Sequence, residues 1–362
     1  MNGVEKPNQA HRVMRSTDKD QWDLAVNVGG GHPLQLWGWG EVKARSGHWK
    51  PVRDLVTGPD GDLLGGAQVL LRRLPGPLGS LGYVPRGPFC ATPAADMDSE
   101  SQGSECMTRV AEAVGAHLKA TTNAVSVIFE PDISAEVGFV VPGGVDKSTS
   151  VLLERTAELD LTVPEDALMS QMSKKTRQYC RKAARDGVVV KLIGEAHGGV
   201  LDDEAKSQID TALTIYEETA RRAQFALHER SYYLDVAELM GPASRIYAAY
   251  VGEEMQAFLW LVSSATVAFE LYGAVTDAGQ RSRANYALKW HAIQEEKGRG
   301  VQRYDMNGLL NDGVSRFKMG FVAEESLLDP GLELPLRPVR YRISAVGIPA
   351  ARNVLRRLRS RV

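Results

Sequence analysis

An α+β chain of two similar halves in tandem, each a mostly antiparallel sheet flanked by helices, is what the sequence predicts. Three observations carry this. The 362 residues exceed what one hydrophobic core usually supports, which favours two domains of ordinary size. A strand-and-turn pattern occurs in residues 55–88 and recurs in residues 246–277. Stretches with helical apolar spacing lie between and after the two copies.

In the first copy, Leu55-Val56 runs into the turn Pro59-Asp60-Gly61-Asp62, residues 66–71 form an apolar strand, and a further strand ends at Leu81-Gly82-Tyr83. In the second, residues 246–250 reach the turn Val251-Gly252-Glu253-Glu254, residues 257–262 follow, and a strand ends at Glu270-Leu271-Tyr272-Gly273. Apolar runs bounded by such turns read as antiparallel strands. Between the copies, Thr162-Val163-Pro164-Glu165 has the form of a capping box and Gly187 that of a stop. Leu168, Met172, Tyr179 and Ala183 share one face of the helix so bounded. Ile209, Leu213, Tyr216 and Ala220 mark a second helix. A third spans about residues 285–297, ended by Gly298 and Gly300, with residues 301–306 as the next strand. The turn Pro142-Gly143-Gly144 sets a boundary near residue 150: residues 1–150 form the first domain, with 325–362 available to complete it, and 151–324 the second.

Composition narrows the function classes. Hydrophobic residues at 43% and charged residues at 24% exclude a disordered or collagen-like chain. A formal net charge of -2 excludes a uniformly basic nucleic-acid coat while leaving room for local basic stripes. Cys90, Cys106 and Cys180 are odd in number and far apart, so reduced thiols in a cytoplasmic protein are expected. No two of the seven histidines have the spacing of a zinc motif, so no metal site is expected. Residues 1–30 lack the apolar core of a secretion signal, and no stretch approaches the roughly 20 apolar residues of a membrane span.

Three segments occur in a telling order: Trp37-Gly38-Trp39-Gly40-Glu41-Val42-Lys43, Tyr83-Val84-Pro85-Arg86-Gly87-Pro88 and Arg316-Phe317-Lys318-Met319-Gly320-Phe321. With Lys175-Thr176-Arg177, Arg181, residues 216–222 and Leu271-Tyr272-Gly273-Ala274, they resemble the FemABX family of non-ribosomal peptidyltransferases over about residues 30–325. No heptad run long enough for an inserted helical hairpin is present, so the resemblance is to the compact FemX-type branch.

The resemblance implies two acetyltransferase-like (GNAT) domains and peptide-bond formation from aminoacyl-tRNA onto a stem-peptide amine of a peptidoglycan precursor, lipid-linked or UDP-linked. It implies no acetyl-CoA and no other cofactor. The loop Ala278-Gly279-Gln280-Arg281-Ser282-Arg283-Ala284 is basic and lacks spaced glycines, in keeping with this. Lys318 is implied as the cation beside the developing oxyanion, with Phe317 as a face for the terminal adenine. Read without the resemblance, the two are a solvated lysine and a core ring. Lys43 matches a position that contacts the diphosphate, and Trp39 beside it reads as core. Arg230, Tyr232 and Tyr233 fall near positions for the precursor, although the spacing departs and His228 is placed to stand for the arginine. Tyr272 matches more closely, and Tyr83 and Arg86 also match, at a turn that explains itself as a strand exit.

Lys174, Lys175, Arg177, Arg181, Lys182 and Arg185 make one helix basic, which suits the phosphates of a tRNA acceptor arm or simply a solvated face, and the first four are the candidates for binding tRNA. Arg352, Arg356, Arg357, Arg359 and Arg361, interleaved with leucine and valine, suit peripheral contact with the inner face of the membrane. A cytoplasmic monomer is expected. Two other functions stay open at this stage: the same chemistry in peptide or amino-sugar antibiotic synthesis, and a non-catalytic protein that binds tRNA or lipid II. The donated amino acid, the acceptor amine and the general base are not legible.

Overall fold

The structure, a computed structural model, describes residues 11–92, 100–147, 150–310 and 312–343. Its residues divide into two compact units, one drawn from Met1–Gly29, Gly47–Ser150 and Asp329–Val362, the other from Gly30–Ser46 and Val151–Leu328.

In the first unit, Arg12–Arg15, Lys50–Thr57, Leu63–Arg73 and Ser80–Pro85 pair in sequence order, all antiparallel. Gly61, at φ +91, supplies the left-handed residue of the turn that joins the second and third of these. Ala124–Glu130 then pairs with Ser80–Pro85 in parallel. A parallel neighbour requires a crossover, and the helix Glu100–Thr121 provides it. Along that helix Val110, Ala111, Val114 and Leu118 recur at spacings of three and four and are fully buried against Val69, Val84, Val127 and Phe129 of the strands. Leu332–Pro335 closes on the far side of Ala124–Glu130, antiparallel, and itself pairs with Val145–Asp146.

The second unit repeats the plan. Val188–Ile193, Ser244–Val251, Glu254–Ser263 and Val267–Val275 form the antiparallel run, with Gly252 at φ +62 in the corresponding turn. Arg303–Asp305 pairs in parallel with Val267–Val275 after the crossover helix Ala284–Gly298, and Glu158–Asp160 closes the sheet. Leu288, Ala292 and Ile293 of that helix are buried against Tyr247, Leu259, Ala268 and Tyr304. Two α+β units of mixed, mostly antiparallel sheet with flanking helices are thus present, in the fold class the sequence predicts.

Three expectations are corrected. Residues 30–46 belong with the second unit, not with residues 1–150. The helix Trp37–Arg45 packs on Arg230–Met240 so closely that a Cβ at Gly38 would meet the Leu239 carbonyl oxygen at 2.3 Å. The single helix bounded by Thr162 and Gly187 is instead two, Glu165–Gln171 and Lys174–Arg185. Ser173 breaks it: its N–H donates to Gly320 O at 2.9 Å, and its hydroxyl accepts the Thr176 N–H at 3.2 Å as an N-cap. Asp160 accepts the Thr162 N–H at 2.8 Å, and Pro164 stands at the N-cap, so no capping box forms. Finally, Cys90 and Cys106 form a disulfide, with Cα atoms 6.2 Å apart, and only Cys180 is a free thiol. The short strand Phe89–Cys90 folds back on Gly65 and Gly66, alongside the crossover helix, and so brings two distant cysteines together.

Among the described residues no helix is long and apolar enough to cross a membrane. The arginines from Arg352 to Arg361, considered for membrane contact, lie outside the described residues.

Candidate active site

Lys318 lies in the last turn of the helix Gly313–Met319, which Asp312 caps by accepting the Ser315 N–H at 2.7 Å. The half-buried ammonium donates to two main-chain oxygens, Gly308 O at 3.0 Å and Asn307 O at 3.3 Å. Those carbonyls are aimed by the bend that follows the strand Arg303–Asp305. Asn307 adopts φ +62, a conformation asparagine tolerates better than most residues. Three hydrogen bonds hold it there. Asp305 Oδ1 accepts its N–H at 2.7 Å, its own side-chain oxygen accepts the Gly308 N–H at 2.6 Å, and its amide donates to Glu270 O at 3.0 Å. An ammonium has three N–H donors. Two go to carbonyls, and the third has no protein acceptor among the described residues.

Phe317 packs edge-on against Tyr286 and Phe321, with centroids 4.9 and 5.3 Å away. Beneath it lies a buried cluster that sequence reasoning missed. Lys289 Nζ stands 5.3 Å from the Phe317 ring centre and donates to Glu270 Oε1 at 2.5 Å, and Tyr304 donates to the same oxygen at 2.9 Å. Burial pushes Lys289 below its ordinary range, with the charge on Lys318 adding to this against the attraction of Glu270. Burial likewise holds the Tyr304 phenol well up, reinforced by Glu270. A signal for this cluster was present, since Glu270 interrupts an apolar strand and Lys289 sits on the apolar face of its helix.

A second constellation gathers Lys43, Tyr232, Tyr233 and Tyr272. Lys43 Nζ donates to Tyr232 Oη at 2.6 Å and stands 4.2 Å over the ring of Trp39, a cation–π contact. No carboxylate pairs with it among the described residues, and burial alone pulls it down to about 8. With one lone pair taken by Lys43, the Tyr232 hydroxyl keeps its proton to donate. Tyr216, Tyr233 and Trp260 wall the Tyr272 ring at 5.9, 5.1 and 5.8 Å. Exposed His228 lies over Tyr232, ring centres 4.1 Å apart, and is pushed down first by desolvation and then by the charge on Lys43. A lysine with neutral donors and no counter-charge is a site for an anion. The structure therefore joins four of the expected binding residues and shows Trp39 to be both core and contact.

The remaining residues are placed differently. Arg230 is spent on the surface, paired with Asp210 at 2.8 Å and Glu217 at 2.9 Å, so His228 is the second basic group beside Lys43. Tyr83 and Arg86 belong to the other unit. Tyr83 donates to Glu130 at 2.6 Å, Lys147 pairs with the same carboxylate at 2.7 Å, and buried Arg86 occupies φ +47 ahead of Gly87 and Pro88. On the basic helix, Lys174, Lys175 and Arg181 are exposed, but Arg177 turns inward and donates to the carbonyls of Met172 and Ser170, capping the preceding helix.

A family model described as an acetyltransferase (GNAT) domain matches residues 170–319. The crystal structure of FemX is similar over 92% of this chain and 99% of its own, with a TM-score of 0.73 at 16% identity. A conserved protein of unknown function from Bacteroides thetaiotaomicron VPI-5482 is similar over 88% of this chain and 100% of its own, with a TM-score of 0.52 at 8% identity. No curated protein matches the sequence. At these identities the likeness is one of fold, and at that level it agrees with the resemblance read from the motifs.

Proposed function

We propose that the chain is an acyl-group transferase, and specifically one that moves an amino acid from aminoacyl-tRNA to an amine on the stem peptide of a peptidoglycan precursor. The observation that carries this is the half-buried Lys318, fixed by two carbonyls with one donor left over, beside the ring of Phe317. An aminoacyl ester is already activated, so the protein needs only to position the amine and stabilise charge. The amine nitrogen attacks the ester carbonyl, and its oxygen becomes an oxyanion to which the free N–H of Lys318 donates. The amide then forms as the ester C–O bond breaks, and the ribose hydroxyl leaves with the proton that the amine gives up.

The Lys43 and Tyr232 constellation suits the diphosphate that such a precursor carries. The segment expected as a loop is the helix Asp277–Ser282, joined to Ala284–Gly298 through Arg283 at φ +64. An arginine at that left-handed position, in place of the glycines that expose backbone amides to a pyrophosphate, supports an RNA donor over a coenzyme.

The test is transfer of a labelled amino acid from charged tRNA to a pentapeptide precursor. Product is expected, and ribonuclease treatment of the tRNA should abolish it. Absence of transfer with every charged tRNA refutes the proposal.

A further inference from the structure

The helix Lys174–Arg185 and the ring of Phe317 are joined by aromatic residues that neither the motifs nor the proposed chemistry assign. Tyr179, on that helix, stands 5.0 Å from Tyr286, and Tyr286 stands 4.9 Å from Phe317, centroid to centroid. All three rings are only half-buried. Two cations attend the first of them: the Arg283 guanidinium lies 4.4 Å from the Tyr179 ring centre and the Lys175 ammonium 5.6 Å from it. Among the described residues, neither has a carboxylate partner, and the same holds for Lys174, Arg181 and Arg185 on the exposed face of the helix. Only Lys182 is paired there, with Asp186 at 2.7 Å. A shallow groove runs along this face between Tyr179 and Arg185.

Unpaired cations that lead into a row of half-exposed rings are what a single-stranded nucleic acid requires. Phosphates take the cations, and unstacked bases take aromatic and guanidinium faces without regard to sequence. A structural role explains the rings, and the cations beside them, left without acids, supply the charge that a phosphate chain needs. We infer that Tyr179, Arg283 and Tyr286 form a track for a single-stranded RNA 3′ end, which enters along Lys174, Lys175 and Arg181 and ends at Phe317 beside Lys318. This rests on the proposed RNA donor and assigns the route by which its ester reaches the lysine.

The test uses the full chain and two uncharged RNA hairpins, one blunt and one with a four-nucleotide single-stranded 3′ overhang, with binding read by fluorescence anisotropy. The overhang is expected to tighten binding about tenfold, the order of one stacked base. Tyr179→Ala should remove that advantage and leave blunt-hairpin binding unchanged, whereas Tyr179→Phe should keep it. Arg181→Glu should weaken both hairpins and lower the slope of log K against log salt by about 1. Equal binding of the two hairpins, or equal loss for both in Tyr179→Ala, overturns the track. Because the RNAs carry no amino acid, the overhang effect is read independently of transfer. Binding that follows the track without any transfer refutes the proposed function alone.

Discussion

The two halves of the molecule follow one plan and differ in how they treat the charges beside the end of the parallel strand. In each, four antiparallel strands are followed by a crossover helix and a parallel strand. In the first, that parallel strand ends at Glu130, whose carboxylate takes both Tyr83 and Lys147, so each charge has its counterpart. In the second, the chain leaving the parallel strand bends at Asn307 and offers Lys318 only neutral carbonyls, while Lys43 has only phenols and an indole. Lys43, drawn out of water with no acid beside it among the described residues, is unfavourable to the fold, which suits work on a ligand. The same topology thus leaves Glu130 paired at that strand end in one half and Lys318 on main-chain carbonyls in the other.

Mutations should separate the halves along this line. Lys318→Met should lower the rate of transfer by about 10² to 10³ with the acceptor KM nearly constant, as steady-state kinetics would show. Glu130→Gln should do the reverse. It leaves Lys147 buried and unpaired, so denaturant unfolding should report a loss of about 3 kcal/mol, with transfer by the folded fraction unchanged. Lys43→Met should raise the acceptor KM roughly 30-fold, as for loss of a charged hydrogen bond, yet stabilise the protein at pH 7 by about 1 kcal/mol. The pH profile sharpens the same point. Free Lys43 loses its proton as pH rises through about 8, so the acceptor KM should climb up to tenfold per unit above that value, and this limb should vanish in Lys43→Met. Its linkage to stability has a definite sign. Between about 8 and its ordinary 10.5 the unfolded chain binds more protons at this group, so its contribution to stability rises with pH in that window. Arg230→Ala should change least, within about twofold in KM, because that guanidinium serves an exposed pair of acids.

The paired halves were legible because strand periodicity and Gly-acidic turns are local. Residues 55–88 and 246–277 show them plainly, as does the helix ended by Gly298 and Gly300. Local signals also misled. The spacing of Leu168, Met172, Tyr179 and Ala183 runs across Ser173, where a tertiary bond to Gly320 outweighs helical continuity. What sequence reading could not supply was contact over long separations. Cys90 with Cys106 depends on a strand fold-back, Glu270 with Lys289 on the crossover helix, and Lys43 with Tyr232 on a segment leaving its neighbours in the chain. Motif order named Lys318 and Phe317, but their supports at Asn307, Lys289 and Tyr304 belong to no motif.

That departing segment affects how the protein is made. Helix Trp37–Arg45 emerges from the ribosome 189 residues before the tyrosine that receives Lys43, a delay of about 10 to 40 s at ordinary elongation rates. Throughout that interval Trp39 and Val42, both buried in the folded protein, lack the helix Arg230–Met240 on which their own helix packs. The second half can be completed only after its helix Arg230–Met240 returns to a stretch translated well before it.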